Sequence, residues 1–266
     1  MKHKVNIILF LVIAGMMLSC NPGKNRASED KFIIPDSIDD VSSQIHEESM
    51  AEVIGNLASP VEIAAMLNDL GIPFNGMLLT STDNVKELES GFDKALALGA
   101  YGADLGYLNI YNKNTQIIDY ISAIKYLTDE LNVGQFFDFK TLKRLCENKH
   151  NMDSLMFESV HSFNKMNSFL ERTGNGKTSV LVVTGLWLEG FYLATQIDKD
   201  NSNKELIESI GDQKIILNDL LSLIGNYSDH PEIMKLKQDF EKLAKVYEDV
   251  EISYETGEPE TIENDE

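Results

Sequence analysis

Two carboxylic acids stand where the surrounding sequence is apolar. Asp104 falls within Ala95 to Tyr111, "ALALGAYGADLGYLNIY", and Glu189 within Val180 to Gln196, "VLVVTGLWLEGFYLATQ". An unpaired ionised carboxylate in such a setting is strongly disfavoured. Each must therefore be hydrogen-bonded, protonated, paired with a base or bound to a cation. Tyr107 and Tyr192 follow the two acids by one helical turn and are expected as hydroxyl partners. With Tyr101 and Trp187 they outline a small polar pocket for a cation or an organic ligand. The competing expectation is a buried polar network that fixes helix register. Hydrolysis by an acid–base pair would need a working separation between the carboxylates, which spacing alone does not supply.

Other motifs carry less. Glu-x-x-His occurs as Glu147 to His150 and as Glu158 to His161. A carboxylate-bridged di-metal centre needs two such motifs on separate long helices, and these start only 11 residues apart, so no metal is expected. The stretch Thr173 to Ser179, "TGNGKTS", has the look of a phosphate loop. That loop needs Gly six residues before its lysine, and the residue there is Glu171. The stretch reads instead as a turn that ends one helix and caps the next. There is no serine nucleophile elbow and no paired-cysteine motif, so no cofactor or nucleotide is expected and binding is favoured over catalysis.

The elements that position the acids read as helices almost throughout. Ser59-Pro60 opens a segment closed by Gly71, and Asp83 or Asn84 starts one with Val85, Leu88, Phe92, Leu96 and Gly99 on a face. Thr115 to Leu131 carries Ile117, Ile121, Ile124, Leu127 and Leu131 at helical spacing. Asp138 begins a short helix with Cys146 on its inner side, and Met156, Val160, Phe163 and Leu170 mark the inner face of another. Ser202 and Glu205 form a capping box before Leu206, Ile210, Leu217, Leu221 and Ile224. Asp229 to Glu232 starts the last helix, with Ile233, Leu236, Phe240, Leu243 and Tyr247 inward. The expectation is an all-α fold, a single bundle of about eight helices.

The two acid-bearing segments are its Gly-rich central helices. Gly99, Gly102, Ala103 and Gly106 give the first a small-residue face for close approach. The second is apolar all round apart from Thr184 and Glu189, as a helix at the centre of a bundle is. Shifted by 85 residues, Gly91 falls on Gly176, Leu96 on Leu181, Asp104 on Glu189, Tyr107 on Tyr192 and Leu108 on Leu193. An internal repeat with a pseudo-twofold axis would pack these helices together.

The ends give an address. Lys2 and Lys4 precede an apolar run, Val5 to Leu18, in the pattern of a secretory signal, residues 1–19. "MMLSC" then resembles a bacterial lipobox with Cys20 as the lipidated, palmitate-bearing residue that tethers the chain to a membrane. Asn21, rather than Asp, favours the outer membrane, on its periplasmic face or at the cell surface. Residues 20–36 form the tether and 37–250 the globular domain; 251–266, with seven acids and no base, form an acidic disordered tail. Losing the signal removes two lysines and no acid, taking the net charge from −20 to −22, which repels nucleic acid. Cys146 is left with no intramolecular disulfide partner.

With the lipobox, "GAYGADLGYLNIYNK" (Gly99 to Lys113) and "GLWLEGFYLATQ" (Gly185 to Gln196) resemble a family of all-helical Gram-negative lipoproteins of unknown function. The resemblance implies an all-α domain behind a lipid anchor and assigns no activity, ligand or catalytic residue. Three functions stay open: recognition of an envelope protein or component, a small-ligand or metal-binding module at Asp104 and Glu189, and a hydrolase with an unrecognised site.

Overall fold

The computed structural model describes residues 67–146, 151–201 and 203–253. The signal segment, Cys20, the tether, the Ser59-Pro60 helix start, the Glu147 to His150 motif, Ser202 and the tail beyond 253 lie outside the described residues. Within them the protein is all-α, with no strand. A helix ends at 67–69. It is followed by α1 (Gly91–Ile110), α2 (Asn114–Glu130), α3 (Phe139–Cys146), α4 (Met152–Arg172), α5 (Gly176–Asn201), α6 (Lys204–Gly225) and α7 (Pro231–Val246).

Four helix ends share one stop signal. Gly71, Asn112, Asn132 and Gly174 all have positive φ, between 53° and 74°. At each, the following N–H reaches back five residues: Ile72 to the Leu67 carbonyl, Lys113 to Leu108, Val133 to Thr128 and Asn175 to Leu170. This is the Schellman closure, which satisfies carbonyls the helix leaves open. Thr173 to Ser179 is therefore a helix–turn–helix joint, with the Thr178 N–H on the Asn175 carbonyl.

Several starts differ from the sequence expectation. The helix expected from Asp83 or Asn84 begins instead at Gly91; 85–87 are a 3-10 turn. Ser90 caps α1, accepting from the Asp93 N–H and donating to its carboxylate. The Asn203 side chain, not Ser202, caps α6, accepting from the N–H groups of Glu205 and Leu206. On α4 the inner face is rotated by about one residue: Leu155, Ser159, Ser162, Met166 and Leu170 are buried, while Val160 is exposed. Asp138 does start α3, its side chain accepting from the Thr141 N–H. Cys146 is buried, with its Sγ on the Lys143 carbonyl.

The most extensive packing is between α1 and α5. They run side by side in the same direction, Leu96 and Gly99 lying against Val182 to Leu186 and Asp104 bonding Glu189. A Cβ on Gly99 would sit 2.0 Å from the Val182 carbonyl oxygen, and one on Gly185 would sit 2.1 Å from that of Leu96. Only glycine allows backbones this close. Around this pair, α2 lies on α1, α4 touches both, α6 covers α5 and α7 lies on α6. Gly176 to Ile197 is apolar and long enough to cross a membrane, yet most of it is buried inside the fold. Its apolarity serves contact with three neighbouring helices. A smaller cluster of Leu67, Ile72, Tyr107, Leu193, Ala194, Ile197 and Leu206 packs beside the main core.

Candidate functional site

Asp104 and Glu189 meet. Their helices bring the two carboxyl groups into one hydrogen bond, with Asp104 fully buried and Glu189 half-buried. Burial, and then the neighbouring Glu189, push the Asp104 carboxyl up to about 9, and burial raises Glu189 too. One proton held on Asp104 and donated to Glu189 satisfies both constraints, since two like charges cannot share a dry site. Asp104 Oδ1 and Glu189 Oε1 are sealed from solvent and receive no other donor.

The remaining oxygens hold Thr80, a residue that carried no signal in the sequence. Its N–H donates to Asp104 Oδ2 at 3.0 Å and its Oγ1 to Glu189 Oε2 at 3.2 Å. Its carbonyl accepts from the Tyr120 hydroxyl at 2.7 Å. The segment around Thr80 is irregular and must find its backbone partners outside a helix. Tyrosines supply them. Tyr111 donates to the Ile72 carbonyl, the Asn75 N–H donates to the Tyr107 hydroxyl and Tyr101 donates to the Ser81 carbonyl. The stretch 72–81 is thus a strap laid over α1 and α5 and fastened by side chains from α1, α2 and α5. Burial raises the tyrosine hydroxyls, Tyr111 to about 12, and nearby Asp104 adds to the rise at Tyr101 and Tyr120. They act as neutral donors and acceptors.

The six residues expected to form one pocket separate into three places. Asp104, Glu189 and Tyr101 gather at the strap. Tyr107 is buried beside it, but its hydroxyl serves Asn75 rather than the carboxyl one turn back. Tyr192 is 42% exposed and is no partner to Glu189. Trp187 lies on the other side of α5, donating from Nε1 to Gln213 Oε1 at 2.8 Å and stacking on Phe191. The reason is angular. Three residues advance a helix 60° short of a full turn, enough to carry Tyr192 off the face that meets α1.

No group of three or more metal-ligating side chains occurs among the described residues. A cavity of about 250 Å³ lies elsewhere, at the starts of α1, α5 and α7, lined by Ser90, Lys177, Thr178, His230 and Glu232 among others. Neither acid of the buried pair lines it. Chemically, the Asp104–Glu189–Thr80 arrangement can hold a proton, take up a small cation in its place, or pin a surface segment. Comparison of the chain with protein-family profiles, with curated proteins and with solved structures found no match.

Proposed function

We propose that this chain is an exported, lipid-anchored protein of a Gram-negative envelope that works by binding an envelope protein or component rather than by catalysis. The address rests on the signal-like N-terminus, the lipobox ending in Cys20 and Asn21 after it. The observation that supports binding is the use made of the acid pair. A catalytic pair must present an oxygen to its substrate, whereas these carboxyls are turned onto each other and onto Thr80. What they present is a loop. Three residues before Thr80, Met77 stands 92% exposed on the Gly76–Leu78 turn, and its own N–H is held by the Asn75 side chain. A loop ordered in advance loses little freedom when a partner arrives, and an apolar side chain at its tip supplies contact area.

A photo-crosslinking residue placed at Met77 of the full chain in cells tests this. It should give a discrete adduct that the same probe at the exposed Lys204 does not. Equal labelling at both positions, or none, removes the binding reading. Cys20→Ser should abolish incorporation of labelled palmitate and release the chain from membranes.

A second reading, a small-cation site, is favoured by Asp104 Oδ1 and Glu189 Oε1, two buried carboxyl oxygens that receive no donor. Native mass spectrometry of protein purified without added metal separates the two readings. A bound mass lost in both Asp104→Asn and Glu189→Gln supports the site, and an empty protein excludes it.

A further inference from the structure

The two halves of the strap are held by different means. In the first half the Phe74 ring stacks on Tyr107, with centroids 5.4 Å apart, and lies under the Lys113 ammonium at 4.6 Å. Ile72 and Asn75 are bonded to tyrosine hydroxyls as well. The second half, 77–81, has no ring of its own, and Leu78 and Leu79 are only partly buried. Among the described residues, no backbone-to-backbone bond joins 77–81 to a helix. Four side-chain bonds hold it there: Thr80 to each acid, and the Tyr120 and Tyr101 hydroxyls to the Thr80 and Ser81 carbonyls.

All four depend on the acid pair. Thr80 bonds to the carboxyls directly, and Tyr101 and Tyr120 lie close enough to Asp104 to feel its charge. While the pair shares one proton it carries a single charge and can stay dry. Once that proton leaves, two like charges stand side by side and must be hydrated. Water can reach them by parting α1 from α5 or by lifting the strap. Parting the helices would open the Gly99–Gly185 seam and the core behind it. Lifting the strap breaks no helix. Ionised carboxylates also draw the two tyrosine hydroxyls from the strap's carbonyls, because a charged acceptor makes the stronger bond.

The surroundings add to this tendency. Neither acid has an ion pair among the described residues. α1 and α2 present tyrosines, and Asp83 and Asp119 add negative charge near those hydroxyls. α4 turns Ser159 and Ser162 inward and α6 turns Gln213, none of which titrates. The Lys113 ammonium serves the Phe74 end.

We propose that Asp104 and Glu189 are a proton-operated latch on residues 77–81, holding the Met77 loop in place while they share a proton and releasing it, with the helices still packed, when they do not. The closed strap keeps the Asp104 carboxyl at about 9 against an ordinary 3.8, and a lifted strap lets water return it toward the ordinary value. Closing therefore takes up a proton and opening releases one. The opening equilibrium rises with pH by up to about tenfold per unit and levels off near 9. A released loop has lost its order in advance, so partner binding should weaken as pH rises. That consequence rests on the binding reading above; the opening itself does not.

Hydrogen exchange of the full chain in detergent tests the latch, read at the Leu78 and Thr80 amides and corrected for the intrinsic pH dependence of exchange. Between pH 6 and pH 8 their opening should increase about tenfold or more, while amides around Gly99 and Gly185 keep their protection. In Asp104→Asn the rise should shrink to about twofold or less, and Glu189→Gln should rise less than the parent. Flat exchange in the parent, an Asp104→Asn variant that rises like the parent, or protection lost at Gly99 and Gly185 together with the strap would each overturn the latch. No partner enters this measurement. Its failure leaves a Met77 adduct standing, and a missing adduct leaves the latch standing.

Discussion

Asp104 and Glu189 lie 85 positions apart in the sequence and close on the same residue, Thr80, one through its N–H and the other through its hydroxyl. The pair therefore joins the two central helices to each other and to the strap that crosses them.

That shared proton makes stability depend on pH in a defined direction. The Asp104 carboxyl rises from 3.8 to about 9 in the folded protein, so between those values the folded chain holds a proton that the unfolded chain has released. The contribution is complete below about 4 and is lost as pH climbs toward 9, at up to about 1.4 kcal/mol per pH unit. Asp104→Asn keeps a donor toward Glu189 and does not titrate. Denaturant midpoints at pH 5, 7 and 9 should fall more steeply for the parent than for Asp104→Asn. Equal slopes would exclude proton sharing.

Thr80→Val removes the hydroxyl and keeps the backbone N–H. The expected loss is about 1–2 kcal/mol, read from chemical denaturation. In combination with Tyr120→Phe the losses should be non-additive, because both bonds fasten one residue. A Thr80→Val variant as stable as the parent would show that Glu189 gains nothing from the strap.

Gly99→Ala and Gly185→Ala test the helix crossing. Each adds a Cβ against a neighbouring backbone carbonyl and should destabilise by about 2–3 kcal/mol or more. Gly91→Ala, where nothing lies within 4 Å, serves as the control. It should stay within about 0.5 kcal/mol of the parent.

Gln213→Leu removes the acceptor of the buried Trp187 indole. Stranding that N–H should cost about 1–3 kcal/mol, and a change in emission should report it, since this is the chain's single tryptophan.

Local rules of sequence carried the fold a long way and the site only halfway. Helix stops were legible at Gly71 and Gly174 because a positive φ selects glycine at such stops. The α2 face was legible because Ile117, Ile121, Ile124 and Leu127 recur at the helical period, and all are buried. On α4 the same reasoning put Val160 inside, since hydrophobicity says nothing about the small space that Ser159 and Ser162 fill. The acids were visible as anomalies in apolar runs. Thr80 was not, because its role depends on three partners 24, 40 and 109 residues away. Tyr107 was assigned to the wrong partner for a related reason. Spacing along a helix fixes a direction, whereas its partner is the Asn75 N–H, in a segment with no period at all.

The parallel alignment of α1 with α5 also orders events in time. Leu96 and Gly99 emerge from synthesis some eighty residues before Val182 and Gly185, the stretch they must touch. Until then Asp104 has no second carboxyl to share its proton with, and the strap has no Glu189 to close on. Contacts so distant along the chain delay the folding transition, because a long loop must close before they yield any return. The seam between the two central helices consequently forms only once the chain has been made as far as Glu189, whereas the contacts of α1 with α2 and of α3 with α4 need no such wait.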